Sequence, residues 1–193
     1  GLVRAGFADG DPSRLLAILA FTFTMVAGGN DTTTGMLGGS VALLHENPDQ
    51  RRLLIDDPQR IPAAVDELLR LTSPVQGLAR TTTRPVRHSD FDGRAITIPA
   101  GRKVLLCYGS ANRDPDAFGP DADRLDITRE PRGILTFSHG NHHCLGAAAA
   151  RMQARVTLEE LLRRFPDFTV DVDGSVWAEG NYVRRPTYVG FRG

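Results

Sequence analysis

The chain has 193 residues, of which 41% are hydrophobic and 24% charged, values typical of a globular protein with a buried core. Its 23 basic and 23 acidic residues cancel, so no net charge draws it to nucleic acid or to an anionic membrane surface. Two cysteines are too few for a disulfide framework, an iron–sulfur cluster or a four-thiolate zinc site, and a reducing cytosol is the expected compartment.

The first predicted element is a long helix. Asp11 is placed to cap it and Pro12 to occupy its first position, and the helix is expected to run to about His45. It contains the longest apolar run, Leu15–Gly29, which is interrupted by threonines and falls short of the roughly 20 apolar residues that a membrane span needs. We therefore expect a helix that is buried on nearly every side, covered by later segments or by elements that would precede this chain.

Shorter elements follow along the chain. Short helices are predicted from Asp49 to Asp56 and from Pro62 to Thr72. Strand-like stretches come next, over residues 78–88, 95–98 and 103–108. A tight turn at Pro99–Gly101 separates the last two stretches. Residues 109–133 are rich in Asp, Pro, Arg and Gly and are predicted to form a loop, and a loop of this length usually has a function.

A second long helix is predicted from Leu145 to Phe165, where Pro166 stops it. Its apolar positions with helical spacing are Leu145, Ala149, Met152, Val156, Leu161 and Phe165. The tail is predicted to form short strands around a turn at Asp173-Gly174. The elements together indicate a mainly α protein with small β-sheets, in a single domain.

The segment Phe137–Gly146, Phe-Ser-His-Gly-Asn-His-His-Cys-Leu-Gly, places three histidines beside Cys144. Zinc would take His139, His142 and Cys144, but a structural zinc site needs a fourth ligand, and the other candidates are isolated in sequence: His45, His88 and Cys107. A nucleophilic Cys144 with a histidine base is a second alternative, although such pairs usually come from distant segments. A third is a buried cysteine beside surface histidines.

The glycines of this segment favour a different chemistry. Gly140 permits a sharp turn, and Gly146 lets the backbone approach a flat partner closely. Cys144 directly precedes the second long helix, and a helix N-terminus stabilises a thiolate. A thiolate presented in this way suits the axial ligand of haem iron.

The same ten residues resemble the haem-binding loop of the cytochrome P450 family, Phe-x-x-Gly-x-His/Arg-x-Cys-x-Gly, with a departure at Ser138, where many members have glycine. The resemblance implies that Cys144 is the axial ligand of the iron and that His142 pairs with a haem propionate. Phe137, Gly140 and Gly146 belong to the same cofactor-binding loop.

A second segment, Ala27-Gly28-Gly29-Asn30-Asp31-Thr32-Thr33, resembles the oxygen-binding groove of the same family, (Ala/Gly)-Gly-x-(Asp/Glu)-Thr-(Thr/Ser). Glycines inside a helix cost about 1 kcal/mol each relative to alanine, so they usually have a reason, of which close helix packing is the simplest. The resemblance implies that Gly28 and Gly29 leave room above the haem for dioxygen and substrate. Thr32 would hold an ordered water there, and Asp31 would deliver protons.

Two further matches support the resemblance. Glu67 and Arg70, three apart on a predicted helix, would by themselves indicate an exposed surface pair. The family's Glu-x-x-Arg pair is instead buried and joined by a later arginine, for which Arg129 fits, in a triad that is structural. Arg80 matches the strand arginine that binds the second propionate, bidentately as a guanidinium can.

The resemblance covers essentially the whole chain and is strongest to soluble actinobacterial, particularly mycobacterial, members. It implies that residues 1–193 are the C-terminal, haem-binding part of a single cytochrome P450 domain, with the N-terminal half absent. The cofactor would be haem b, iron protoporphyrin IX. The expected location is the cytoplasm, with no membrane span and no nucleic-acid partner.

The implied activity is a monooxygenase that inserts one oxygen atom from O2 into a hydrophobic organic substrate. The chain carries no strand-borne dinucleotide fingerprint, so electrons would come from a ferredoxin and a ferredoxin reductase. The alternative is a truncated fragment that binds haem but is catalytically incompetent, with a binding role or none. A zinc-binding module is a more distant third.

Overall fold

The structure, a computed structural model, describes residues 12–90, 92–180 and 182–193. The helices are α1 (Pro12–Glu46), α2 (Pro48–Asp56), α3 (Ile61–Thr72), α4 (Tyr108–Ala111), α5 (Pro115–Phe118) and α6 (Ala147–Arg164). The strands are β1 (Leu78–Thr81), β2 (Val86–Ser89), β3 (Ala95–Ile98), β4 (Lys103–Leu106), β5 (Thr169–Trp177) and β6 (Pro186–Arg192). Single 3-10 turns lie at Pro58–Arg60 and Gly140–His142. The predicted helices are all present, with ends that differ by one or two residues. The predicted loop over residues 109–133 is wrong in part, because it contains α5 and most of α4.

Helix α1 has two dissimilar halves. Its C-terminal half buries Met36, Ser40 and Leu44 and contacts α3, α6, β5 and β6. Its N-terminal half exposes large apolar side chains, namely Leu15, Leu16, Leu19, Phe21, Phe23, Met25 and Val26. Among the described residues no element packs on this half, so the expected cover by later segments is wrong. Cover by elements that would precede this chain stays a prediction. The predicted cap, Asp11, lies outside the described residues.

By length and mean hydropathy alone, 1.3 over its most apolar window, α1 is also a candidate membrane span. This is weak evidence for a span, so the expectation that α1 does not cross a membrane stays a prediction. Core helices of water-soluble proteins meet the same two criteria, so length and composition do not distinguish between the two.

The core forms where α3 crosses α1 and α6. Nine of the twelve residues of α3 are buried, including both members of the Glu67–Arg70 pair. Helix α6 contributes four buried residues, Ala147, Ala154, Leu158 and Leu162. The apolar spacing seen in the sequence marks a different face of α6, since Leu145, Met152, Val156 and Phe165 are exposed. Helical periodicity shows that a helix is amphipathic, but the neighbouring elements decide which stripe they cover.

Three antiparallel pairs make up the sheet structure of the described residues. The pairs are β1 with β4, β2 with β3, and β5 with β6. The predicted strand over 78–88 is two strands, interrupted before Pro85, which has no amide hydrogen to donate to a ladder. The turn at Pro99–Gly101 is present, with Gly101 at φ 78°. The strands on either side of this turn pair with other strands, so it is not a hairpin turn.

The tail differs from its prediction in the position of the turn. Strand β5 continues through Asp173-Gly174, where the register of its pairing with β6 shifts between Asp171 and Val176. The amide of Gly174 donates to the carboxylate of Asp171 at 2.9 Å, which holds this bulge. The two strands are joined by residues 178–185 instead, so the predicted turn at 173–174 is a bulge within one strand.

Candidate functional site

The segment Phe137–Gly146 is a tight loop that ends one residue before α6. Gly140 adopts φ 63°, the left-handed conformation that glycine reaches most readily, at the start of the 3-10 turn. The amide of Cys144 donates to the carbonyl of Phe137 at 2.8 Å and closes the loop. Cys144 is exposed, and a Cβ added to Gly146 would lie 3.8 Å from its sulfur. The loop therefore presents a free thiol at the head of a helix with an uncrowded backbone beside it.

Phe137 anchors this loop to the core. Its side chain is 8% exposed, and the guanidinium of Arg151, on α6, lies 4.6 Å from the centre of its ring. The same Arg151 forms an ion pair with Asp66 of α3 at 2.8 Å. One arginine thus joins the loop to the two helices that frame it, and the sequence analysis assigned no role to either Arg151 or Asp66.

Ser138, where the sequence departs from the family pattern, has φ 61°. This left-handed conformation costs a residue with a Cβ about 1 kcal/mol or more relative to glycine. Its hydroxyl lies 3.1 Å from the hydroxyl of Tyr108, with either oxygen able to donate. The hydrogen bond offsets part of the strain, which explains how serine is accommodated at this position.

A cleft of about 330 Å³ opens between the β1–β4 sheet, α4 and the cysteine loop. Its lining residues are Arg80, Leu106, Cys107, Tyr108, Ala111, Leu135, Ser138, His139 and His142. Arg80 and His142, the two predicted carboxylate-binding side chains, face this one cleft although they are far apart in sequence. A guanidinium and an imidazole on one surface suit a ligand with two carboxylates. Cys144 is not among the lining residues and stands exposed further along the same loop.

The four predicted groove residues lie on α1 and do not line this cleft. Asp31 forms an ion pair with Arg185 at 3.4 Å, and the hydroxyl of Thr32 donates to the carbonyl of Gly28 at 2.8 Å. A Cβ added to Gly28 or Gly29 would meet nothing within 4 Å. Among the described residues, close helix packing is therefore wrong as the reason for these two glycines.

Three other glycines of α1 do permit close packing. A Cβ on Gly35 would lie 2.7 Å from the carbonyl oxygen of Arg184, and one on Gly39 would lie 2.9 Å from Thr72 Cγ2. A Cβ on Gly38 would overlap Pro186. These glycines let the tail and α3 approach α1, and the sequence analysis did not single them out.

Glu67, Arg70 and Arg129 meet in the interior. Arg70 donates to Glu67 through Nε and Nη2, both at 2.7 Å, and neither side chain is exposed. Arg129 Nε lies 3.4 Å from the Glu67 carboxylate, and its Nη2 lies 3.1 Å from the exposed carboxylate of Asp121. The hydrogen bond from Arg129 lowers the pKa of Asp121. The interpretation of Glu67 and Arg70 as a surface pair is wrong, because α3 is enclosed on this side by residues 112–129.

Asn112 supports the site from behind, and the sequence analysis assigned no role to it. It is fully buried and hydrogen-bonds to the end of α3 and to the segment that leads into the cysteine loop. The available signal was the amide side chain in the stretch Ala111-Asn112-Arg113-Asp114-Pro115.

The geometry does not support two of the alternatives to haem, the zinc site and the buried cysteine. Within residues 12–90, 92–180 and 182–193, no group of three or more His, Cys, Asp or Glu side chains is arranged to hold a metal ion. Both cysteines are free thiols and both are exposed, which also contradicts the reading of Cys144 as a buried cysteine.

Comparison with known proteins identifies the family. The sequence profile described as Cytochrome P450 matches residues 10–177. The chain belongs to the cytochrome P450 family. The predicted relationship and the predicted fold class, mainly α with small sheets, are both confirmed.

Individual relatives agree with this assignment. Cytochrome P450 130 of Mycobacterium tuberculosis is 70% identical over 192 residues, which are 99% of this chain and 46% of that protein. The Vitamin D(3) 25-hydroxylase of Pseudonocardia autotrophica is 41% identical over 95% of this chain and 45% of its own length. The solved structure of the tirandamycin C-bound P450 monooxygenase TamI superposes with a TM-score of 0.82 at 38% identity, over 89% of this chain and 42% of that one. The chain thus spans about half the length of the P450 relatives it matches.

Proposed function

We propose that this chain is the C-terminal, haem-binding part of a single P450 domain, and that the whole protein is a haem-thiolate monooxygenase. It would insert one atom of dioxygen into a hydrophobic organic substrate and release the other as water. The observation that carries the proposal is the exposed thiol of Cys144 at the head of α6, beside a cleft that brings Arg80 and His142 together. The 70% identity to Cytochrome P450 130 supports it.

The residues present fit haem b. Cys144 is exposed, and Gly146 close to its sulfur carries no side chain to block a flat ring. Arg80 and His142 lie on one cleft and match the two propionates of the cofactor. Haem, when bound through a thiolate, supplies the reductive activation of dioxygen, which no amino-acid side chain can supply.

The protein would hold and tune the cofactor in three ways. Cys144, at the head of α6, would present its exposed sulfur to the iron. The short hydrogen bond from the Cys144 amide to Phe137 keeps the sulfur in place. Arg80 and His142 neutralise the propionates and so hold the ring edge.

On α1, Asp31 and Thr32 would relay protons from solvent toward the cofactor. The hydroxyl of Thr32 can donate to a neighbouring water once it leaves the Gly28 carbonyl, and the carboxylate of Asp31 can pass protons inward from solvent. Asp31 is 49% exposed on its side chain and paired with Arg185, so it reaches solvent in this structure. Gly28 and Gly29 lie on the uncovered half of α1, where the proposed groove for dioxygen and substrate would form.

Relatives in the family support a proposal for the substrate class and the partners. The names of two relatives refer to vitamin D(3) and mycinamicin, and solved neighbours hold tirandamycin C or corticosterone. These compounds support a hydrophobic organic substrate for this protein. A ferredoxin and its reductase would supply electrons, and a cytoplasmic location fits such partners.

The domain proposal also accounts for the exposed half of α1. In P450 relatives of about twice this length, the remaining residues are available to cover such a surface. Helix α1 would then be a core helix of the domain rather than a membrane span, in keeping with the packing of its C-terminal half on α3, α6 and the β5–β6 pair.

The test of haem ligation uses the two cysteines as a matched pair. Both are exposed and free, but only Cys144 lies at the head of α6. The chain is reconstituted with haem, reduced and exposed to carbon monoxide. We expect the absorption band of a thiolate-ligated P450 in the parent chain and in Cys107→Ser, and its loss in Cys144→Ser. A thiolate band that persists in Cys144→Ser would overturn the ligand assignment.

The second candidate, a haem-binding but catalytically incompetent fragment, is favoured by the incomplete cover of α1. Haem uptake with a thiolate band but no oxidation of any tested substrate by this chain would support it. The monooxygenase proposal is tested in the whole protein by Thr32→Ala, which should uncouple oxygen consumption from product formation. Unchanged coupling would remove Thr32 from the mechanism.

A further inference from the structure

Asn112 is a fully buried side chain whose hydrogen-bonding groups are all used. Its amide nitrogen donates to Thr136 Oγ1 at 2.9 Å and to Ser73 Oγ at 3.1 Å. Its side-chain oxygen accepts the backbone amide of Leu135 at 2.7 Å. An amide group is required here, because a carboxylate has no hydrogens to donate and an apolar side chain can neither donate nor accept.

These bonds join three segments that are distant in sequence. Ser73 ends α3 in the left-handed conformation, φ 36°, which a residue other than glycine adopts at a cost. The backbone carbonyl of Asn112 accepts from Arg70 at 2.6 Å, which connects it to the buried Glu67–Arg70 pair. Thr136 in turn donates to the carbonyl of Leu69 at 2.8 Å. The end of α3 and residues 135–136 are thus held together by the Asn112 side chain and by the direct bond from Thr136, and Asn112 alone fixes Leu135.

The connection continues to Cys144 through short backbone bonds. The carbonyl of Leu135 accepts the amide of Ser138 at 2.9 Å, and the carbonyl of Phe137 accepts the amide of Cys144 at 2.8 Å. The position of Leu135 therefore sets where the cysteine loop starts. A shift of Leu135 and Thr136 moves the base on which Cys144 is carried.

We propose that Asn112 is a positioning residue that fixes the cysteine loop relative to the end of α3 and so sets the position of the Cys144 thiolate. The proposal rests on the proposed haem ligation by Cys144. It goes beyond that assignment, because Asn112 touches neither the cleft nor the loop tip and acts only through Leu135 and Thr136.

The test compares Asn112→Ala with Leu54→Ala, a control that removes a fully buried side chain from α2. Both lower thermal stability, so stability alone does not separate them. Amide hydrogen exchange at Leu135 and Cys144 should rise roughly tenfold or more in Asn112→Ala and stay near the parent rate in Leu54→Ala. Exchange at Ala154, in the middle of α6, reports any general loosening in each variant.

The second readout is the carbon-monoxide spectrum of the haem-loaded chain. Asn112→Ala should convert part of the thiolate band to the blue-shifted band of a protein that has lost its thiolate ligand, while Leu54→Ala keeps the parent ratio. Unchanged loop exchange together with an unchanged ratio of bands would overturn the proposal and leave Asn112 a residue of general stability.

Two further outcomes of the experiment are also informative. If Asn112→Ala does not fold, Ser73→Ala removes one partner of Asn112, leaves the Thr136–Leu69 bond in place, and should raise exchange at Leu135 in the same direction. If the parent chain shows no thiolate band, the proposed ligation has failed, and the exchange readout alone decides whether Asn112 positions the loop.

Discussion

Arg70 binds Glu67 through two hydrogen bonds of 2.7 Å, and both side chains are completely shielded from solvent. A pair of opposite charges in the interior is held by its geometry, and removal of one partner leaves the other charge buried without compensation. In this chain the pair also connects α3 to residues 112–129 through carbonyls that Arg70 contacts.

Glu67→Gln should therefore destabilise the chain severely, by about 3–5 kcal/mol, because the Arg70 charge stays buried. Chemical denaturation of the two proteins measures the difference. The control is Asp56→Asn, which breaks the exposed pair with Arg52 at 3.3 Å and should cost about 0.5 kcal/mol or less. Equal effects of the two substitutions would contradict the structural role of the triad.

The strain at Ser138 predicts a dependence on Tyr108. In the Tyr108→Phe background, where the hydrogen bond between the two hydroxyls is absent, Ser138→Gly should stabilise by about 1 kcal/mol because glycine adopts φ 61° more readily. In the parent background the gain should be close to zero, because the lost hydrogen bond is worth about 1 kcal/mol. Denaturation of the four proteins of this cycle provides the values. Destabilisation in both backgrounds would show that the serine is not strained.

The glycines of α1 should separate into two classes. Gly28→Ala should be neutral or stabilise by up to about 1 kcal/mol, because the site is open and alanine favours helix. Gly39→Ala should destabilise by about 1–3 kcal/mol, because its Cβ would press on Thr72. Thermal unfolding of the two variants tests this. A destabilised Gly28→Ala chain would mean that packing, rather than space for a ligand, explains that glycine.

The contact between Arg129 and Asp121 predicts a titration effect. The hydrogen bond from Arg129 holds the pKa of Asp121 below its ordinary value of 3.8. The stabilisation from this pair is therefore complete above about pH 3.8 and is lost as the pH falls through the lower pKa of the folded state.

Observation of the Asp121 carboxyl carbon by NMR measures this pKa directly. Arg129→Gln removes the hydrogen bond that is the largest cause of the lowered pKa, and it should raise the pKa of Asp121 clearly. Arg124→Gln removes only a weaker charge interaction and should raise it less. If the two variants gave the same pKa for Asp121, the hydrogen bond from Arg129 would not be the main cause of the lowered pKa.

The exposed half of α1 predicts self-association of the isolated chain. Phe23 is 74% exposed and lies among other uncovered apolar side chains, a surface larger than water-soluble monomers usually present. We expect the chain to bind a hydrophobic dye and to scatter light as an oligomer. Phe23→Glu should reduce both signals, and Gln153→Glu, which adds the same charge on an exposed face of α6, should not. A parent chain that is monomeric and binds no dye would contradict this prediction.

Much of the local structure was predictable because its causes are local. Pro12, Pro62 and Pro166 mark helix ends through their fixed φ and missing amide hydrogen, and Gly101 marks a turn through its positive φ. The relationship to the P450 family was equally accessible, since the cysteine loop and the groove segment are short contiguous motifs.

Strand pairing and burial were not predictable in the same way. Strands β3 and β4, on either side of the turn at Pro99–Gly101, pair with β2 and β1 rather than with each other. A local sequence pattern does not specify hydrogen bonds to distant strands. The exposed stripe of α6 shows the same effect, since helical periodicity does not state which stripe the rest of the chain covers.

The sequence by itself determined the four longer helices, the turn at Pro99–Gly101 and the chemical identity of the candidate ligands, because backbone preferences and side-chain chemistry act within a few residues. Only the tertiary structure decided that Arg80 and His142 share a cleft, that Glu67 and Arg70 are buried, and that Asn112 connects α3 to the cysteine loop. Each of these depends on segments far apart in the chain, and they meet because packing of the core on α3 brings them to the same place.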